Sequence, residues 1–176
     1  VTGADVAKRA LSAYGKQWRY VLGAKPDPAS VQPGAIGIAA DCTGYVWWAT
    51  GRAQTGRLAG NKLWRDSPGP VVGGAVWHDA RPPAKFGHAG VIIAVHSDGD
   101  FDTLDCSSTP PGPRGGAIRL LRRSRAFWSK SNTASYGFWV PRYITPGGAG
   151  FGVVGALALA AAAAAVIWYA SNRSAT

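Results

Sequence analysis

The sequence predicts an α+β protein followed by one membrane-crossing helix, on three observations. Apolar residues near the N-terminus recur at helical spacing. The middle of the chain breaks into short strand-like pieces separated by turn residues. Residues 143–172 carry no charge at all. Helices first and a run of antiparallel strands afterwards is the order of an α+β fold. At 176 residues, the chain has room for one ordinary domain with a real core. A hydrophobic fraction of 47% and eight tryptophans exclude a disordered chain.

Each element has its own signal. Over Ala4–Tyr20, Val6, Ala10, Leu11, Tyr14 and Trp18 fall on one side of a helix. Lys25–Gly37 is rich in Pro, Gly and Ser and reads as loop. Cys42–Thr50 is predicted as the first turns of a buried helix, with Asp41 near its start. Gly51–Gly74 is irregular. Strand-like pieces follow at Ala75–His78, His88–Val95, Phe101–Cys106 and Ala117–Leu121, with Ser97–Asp100 a turn between two of them. Phe138–Tyr143 is the last candidate strand.

The domain is expected to occupy residues 1–145, with a Gly-rich hinge at 146–150 and a tail at 171–176. Between them FGVVGALALAAAAAAVIWYA, residues 151–170, has the length of about twenty residues that crosses a bilayer. Trp168 and Tyr169 stand where interfacial aromatics belong, and Arg142 and Arg173 bracket the segment without setting an orientation. The alternative is a buried Ala-rich helix, but one apolar on every face is hard for a small domain to hide. The N-terminal twenty residues hold no apolar core of signal-peptide length, which implies a processed chain or another route of export.

The formal charge is +10, and every acid is Asp. That balance suits an anionic partner: a lipid surface, a cell-wall polymer or nucleic acid. Basic residues are densest in RLLRRSR, Arg119–Arg125, which reads either as a solvated face or as a contact for lipid or wall polymer. It has no interleaved aromatics and no helix-turn-helix or zinc pattern, which argues against nucleic acid. The two cysteines can form one disulfide or remain two thiols. There is no C-x-x-C, and no metal site is evident.

The chemistry centres on ADCTGYVWW. A helix N-terminus favours thiolate, so Cys42 is placed as a nucleophile, although cysteine is also a common inert core residue. Its own backbone N–H can serve a developing oxyanion. A nucleophile needs a base. Of three histidines, His88 in FGHAGVIIAV has small neighbours that leave space for a substrate, whereas His96 adjoins a polar turn. Strand alternation puts His88, Gly90 and Ile92 on one face. The base needs an orienting acceptor. Asp105 in FDTLDCSS is the first candidate and Ser107 shares its face, with Asp102 the weaker one near the turn. If Asp105 faces the imidazole, Cys106 points the other way and is an inert thiol.

These words together resemble the NlpC family of papain-like cell-wall cysteine peptidases. ALSAYGKQWRYVLGA is similar to the family's opening helix and Tyr-Val-x-Gly-Gly turn, ADCTGYVWW to its Asp-Cys-Ser-Gly-aromatic motif, and FGHAGVIIAV to its Gly-His-aliphatic-Gly-Ile strand. VVGGAVWH is similar to its Pro-Gly-Asp-aliphatic strand, and TLDCSS stands at its third polar position. The likeness spans about residues 4 to 143. It implies a papain-like fold, with the cysteine helix packed on an antiparallel sheet. It also implies Cys42 as nucleophile, His88 as general base and later acid, and Asp105 as its orienter. Tyr20 and the Cys42 N–H would stabilise the oxyanion, and Asp41 would hold the helix start or a substrate amine. The implied reaction is hydrolysis of a peptidoglycan stem-peptide amide through a thioester, with no cofactor. This sequence departs from the pattern at Asp105, where many members have His, and at Ala24, Thr43 and Ala75. Its Lys25–Ala40 segment is also longer.

The expectation is a membrane-anchored peptidoglycan hydrolase of the bacterial envelope or of a phage virion or lysis apparatus, since no separate wall-binding repeat accompanies the domain. The partners it implies are stem peptides, the bilayer through residues 151–170, and virion or envelope proteins. A CHAP-type N-acetylmuramoyl-L-alanine amidase shares the Asp-Cys-Thr-Gly word, and a non-catalytic membrane protein carrying a retired hydrolase domain is the reading from another class.

Overall fold

A computed structural model of the chain describes residues 1–51, 62–78, 87–108, 112, 115–125 and 137–144. The chain divides into two units, Val1–Ile144 and Thr145–Thr176, and every described residue belongs to the first. The expected hinge, span and tail at 146–176 lie outside the described residues. Among the described residues no helix is long and apolar enough to cross a membrane.

The elements run α1 (Gly3–Ser12), β1 (Arg19–Tyr20), β2 (Ala39–Ala40), α2 (Cys42–Thr50), β3 (Trp64–Ser67), β4 (Ala75–His78), β5 (His88–Val95), β6 (Phe101–Cys106), β7 (Ile118–Arg123) and β8 (Gly137–Pro141). Strands β3 to β8 form one antiparallel sheet in the order β3-β8-β4-β5-β6-β7. This is the α+β order that the sequence predicts.

Helix α1 starts on a capping box: the Thr2 hydroxyl accepts from Asp5 N–H and the Asp5 carboxylate accepts from Thr2 N–H. It is shorter than the predicted Ala4–Tyr20. Gly15 (φ 71°) and Gln17 (φ 58°) take left-handed backbone that ends any helix there. Trp18 still enters the core, but from an irregular turn, and its indole N–H donates to Ala35 O at 2.8 Å. The chain then pairs β1 in parallel with β2, Tyr20 beside Ala40.

Both helices pack on one face of the sheet. Val6, Ala10, Trp18, Tyr45, Val46 and Trp48 meet Trp77, Ala89, Val91, Leu104, Ile118 and Trp139 in one cluster. Trp18 meets Tyr45 and Trp48 edge-on while Tyr45 and Trp48 stack, with centroids 4.6–6.0 Å apart. Val76, Ile92, Phe101 and Phe138 form a smaller cluster by alternation on the opposite face.

The loop between β1 and β2 is tied down along its length. The Trp48 indole donates to Val31 O at 2.8 Å, Arg9 donates to Val31 O at 3.2 Å, and Gly34 N–H donates to the Ser12 hydroxyl at 3.1 Å. Strand β3 falls in the stretch read as irregular; it is an edge strand paired with the distant β8. Strand β7 runs two residues past the predicted Ala117–Leu121, because β6 pairs with it along its whole length, from Phe101–Arg123 to Cys106–Ile118.

Candidate active site

Cys42 is the first residue of α2 and is buried. The helix starts there because Asp41 is its N-cap: extended backbone, with the carboxylate accepting from Gly44 N–H at 2.6 Å. The same carboxylate accepts from Gly23 N–H at 3.0 Å, from the Thr43 hydroxyl at 2.9 Å and from Lys25 Nζ at 2.6 Å. Lys25 also donates to the Thr43 hydroxyl. Burial alone would raise the Asp41 pKa, but Lys25 and the N–H donors outweigh it and hold the group below its ordinary value. One anion thus joins the Val21–Ala24 turn to the start of α2. The approach is close: a Cβ on Gly44 would lie 2.1 Å from Ala24 O. Of the two roles expected for Asp41, the geometry displays the first, holding the helix start.

Tyr20 ends β1 just before that turn and is partly buried. Burial first, then the negative charges of Cys42 and Asp41, raise its pKa, so the phenol keeps its proton and stays a donor beside the cysteine.

His88 opens β5. Its Nε2 lies 2.7 Å from Asp105 Oδ2, and Cys42 is near enough to act on the charge of the imidazole. Burial pulls the imidazole pKa down, but the Asp105 and Cys42 hydrogen bonds and charges outweigh it and push the value up to about 9. His88 is therefore an imidazolium at neutral pH.

Asp105 reaches it because of Gly90. The β5–β6 register pairs Val91 with Leu104, and the next step places Asp105 over Gly90. A Cβ on Gly90 would stand 2.2 Å from Asp105 Oδ1. The missing side chain lets a fully buried carboxylate lie across the strand toward His88, two residues along on the same face. Arg123 of β7 donates from Nη2 to the same Oδ2 and from Nε to the Thr103 hydroxyl at 3.1 Å. Burial opposes ionisation of Asp105, yet its pKa is lowered, by His88 first and Arg123 next.

Cys106 faces away from Asp105. It is buried in the helix-side core, its Sγ donates to Ala40 O at 3.3 Å, and burial pushes its pKa far up. Both cysteines are free, so the disulfide alternative is not taken. Asp102 lies against His96 instead, Oδ2 to Nε2 3.0 Å. Ser107 follows β6, and its N–H donates to Ala117 O at 3.0 Å; the group on the imidazole is the Asp105 carboxylate. Among the described residues no cluster of His, Cys and Asp could hold a metal ion.

Two solved structures are similar to this chain. The crystal structure of Ly7917 with the hydrolyzing product of MDP shares 15% identity, over 80% of this chain and 63% of that one, with a TM-score of 0.48. The crystal structure of Ly7917 shares 16% identity, over 80% and 62% of the two chains, with a TM-score of 0.44. The chain therefore spans less than two thirds of the length of either. No family model matches it, and no curated protein does. At these TM-scores the likeness carries no weight for the site, which rests on its own geometry.

Tyr20, Asp41, Cys42, His88 and Asp105 thus lie around one helix start and one strand end. Gly90, which lies within the quoted FGHAGVIIAV stretch, and Lys25, Thr103 and Arg123, which carry no motif-level signal, belong to the same constellation. Arg123 is hidden in a basic run, whose Arg122 pairs with Asp98 at 2.7 Å. That run is thus partly paired with the turn after β5 and is not simply an open cationic patch.

Proposed function

We propose that this protein is a peptidoglycan hydrolase of the NlpC type: a cysteine peptidase that cuts an amide in the stem peptide. The observation that carries the reading is the His88–Asp105 hydrogen bond with Cys42, the first residue of α2, beside the imidazole.

Cys42 is the nucleophile, and His88, held by Asp105 and with its pKa pushed up to about 9, is the base that takes the thiol proton. The thiolate attacks the amide carbonyl carbon. The oxyanion forms beside the Cys42 backbone N–H and the Tyr20 hydroxyl, which its raised pKa keeps protonated. Collapse breaks the C–N bond while the imidazolium gives its proton to the departing amine, leaving a thioester. Neutral His88 then takes a proton from water. The hydroxide adds to the thioester carbonyl, and carboxylic acid and thiolate separate with the imidazolium restored. Asp105 keeps the ring oriented in both halves.

Residues 151–170 would hold this domain at a membrane, which suits an enzyme that works on the bacterial envelope. Deleting them is expected to move the protein from the membrane to the soluble fraction on ultracentrifugation. Unchanged partition would remove the anchor from this reading.

The test of the chemistry is mass spectrometry of purified peptidoglycan digested by the full chain in detergent. Products that keep part of the stem peptide on muramic acid support the peptidase. Free lactyl groups would make it an N-acetylmuramoyl-L-alanine amidase. No soluble product from several wall types would make the domain a retired hydrolase.

A further inference from the structure

The Cys42–His88–Asp105 series leaves one strong contact unused. Asp105 is fully buried, yet one of its oxygens, Oδ2, accepts from two cations: His88 Nε2 at 2.7 Å and Arg123 Nη2. The Arg123 side chain is 18% exposed, and its Nε is fixed on the Thr103 hydroxyl at 3.1 Å. The other oxygen, Oδ1, lies over Gly90 and has no hydrogen-bond partner. The carboxylate is thus not divided between its two partners, one oxygen each; both cations draw on the charge of the same oxygen.

We infer that Arg123 is a positioning residue for the Cys–His pair: it draws charge from Asp105 and so sets how tightly His88 holds its proton. The inference rests on reading Cys42 and His88 as a reacting pair. An orienting carboxylate that saw only the imidazolium would hold its proton too firmly for release to the leaving amine. A permanently charged guanidinium on the same oxygen offsets part of that pull and keeps the carboxylate ionised. The guanidinium bonds Asp105 and Thr103, so it acts through Asp105 and not on the reacting atoms.

Other groups lie near enough to matter. From β4, the His78 ring is 6.0 Å from that of His88, centroid to centroid. From β7, Arg119 is the register partner of Asp105. From α2 come Cys42, which acts on the imidazole's charge, and Tyr45; Cys106 is the neighbour on β6. Among the described groups, Arg123 alone shares the oxygen that His88 uses.

The test is an NMR titration of the histidine ring protons in the full chain in detergent micelles, with His88 assigned by His88→Gln. In the unaltered protein His88 is expected to titrate near 9. Arg123→Gln should raise that midpoint by about half a unit to one unit, as loss of a nearby cation demands. It should also lower kcat by about threefold to tenfold with little change in KM, because a weaker acid serves the leaving group. Arg123→Lys keeps the charge and should return the midpoint toward the original. Thr103→Val, which frees the guanidinium and also removes a hydroxyl that lowers the Asp105 pKa, should move it the same way as Arg123→Gln by less. If Arg123→Gln does not fold, the Thr103→Val midpoint decides. An unmoved or lowered midpoint in a folded variant overturns the inference while leaving the peptidase reading intact. A His88 that titrates at its ordinary value in the unaltered protein overturns both.

Discussion

At the scale of single residues, the site depends on an absence as much as on its reactive groups. Gly90 leaves the space through which Asp105 reaches His88, so Gly90→Ala would place a methyl 2.2 Å from the carboxylate oxygen. The side chain must move, and activity is expected to fall at least about tenfold while the strand persists. Muropeptide release and a thermal melt on the same preparation check this; full activity would mean that Asp105 need not lie where it does. The raised His88 pKa also has a sign. A group with a folded pKa above its unfolded value stabilises fully below the unfolded value, here 6.5, and that contribution is lost as pH rises through about 9. Stability measured in urea should therefore fall between those pH values, and His88→Gln should flatten the slope. Cys42 and His88 were legible in the sequence because helix capping and strand alternation are local. Lys25 and Arg123 were not: each is bound to its partner by contacts across a loop or a sheet, which no short window contains.

At the scale of elements, the same division holds. Helix α2 and strands β4, β5 and β6 occupy their predicted residues, since an N-cap, a glycine stop and alternating apolar residues mark their ends. Helix α1 stops early because Tyr14 and Trp18 continue a helical spacing that the backbone abandons at Gly15. Strand β3, with Arg and Asp at its centre, looks polar and irregular; only the pairing with β8 makes it a strand. The β1–β2 loop, read as a plain loop, is a fixed wall hung from Trp18, Trp48 and Arg9. Trp48→Ala should cost about 3–5 kcal/mol and loosen that wall, seen as a lower denaturation midpoint and faster amide exchange at residues 28–35. Asp41→Ala should cost about 0.5–2 kcal/mol for the cap, and more because it strands Lys25 beside the cysteine. A melt within error of the original would contradict the cap assignment.

At the scale of the whole molecule, two helices on one face of an antiparallel sheet bring a cysteine at a helix start to a histidine at a strand start. The formal charge of +10 belongs to the whole chain, and its densest basic run is partly ion-paired with a turn of the same domain. If the proposed attraction to an anionic wall polymer holds, it is expected to draw on charge beyond that run and to weaken smoothly with salt. The measurement that bears most directly on the proposed chemistry is muropeptide release by the full chain beside Cys42→Ala and Cys106→Ala. The expected result is cutting by the unaltered protein and by Cys106→Ala, whose thiol is buried and turned away, and none by Cys42→Ala. Release that survives Cys42→Ala would contradict it, because no other described thiol can reach His88.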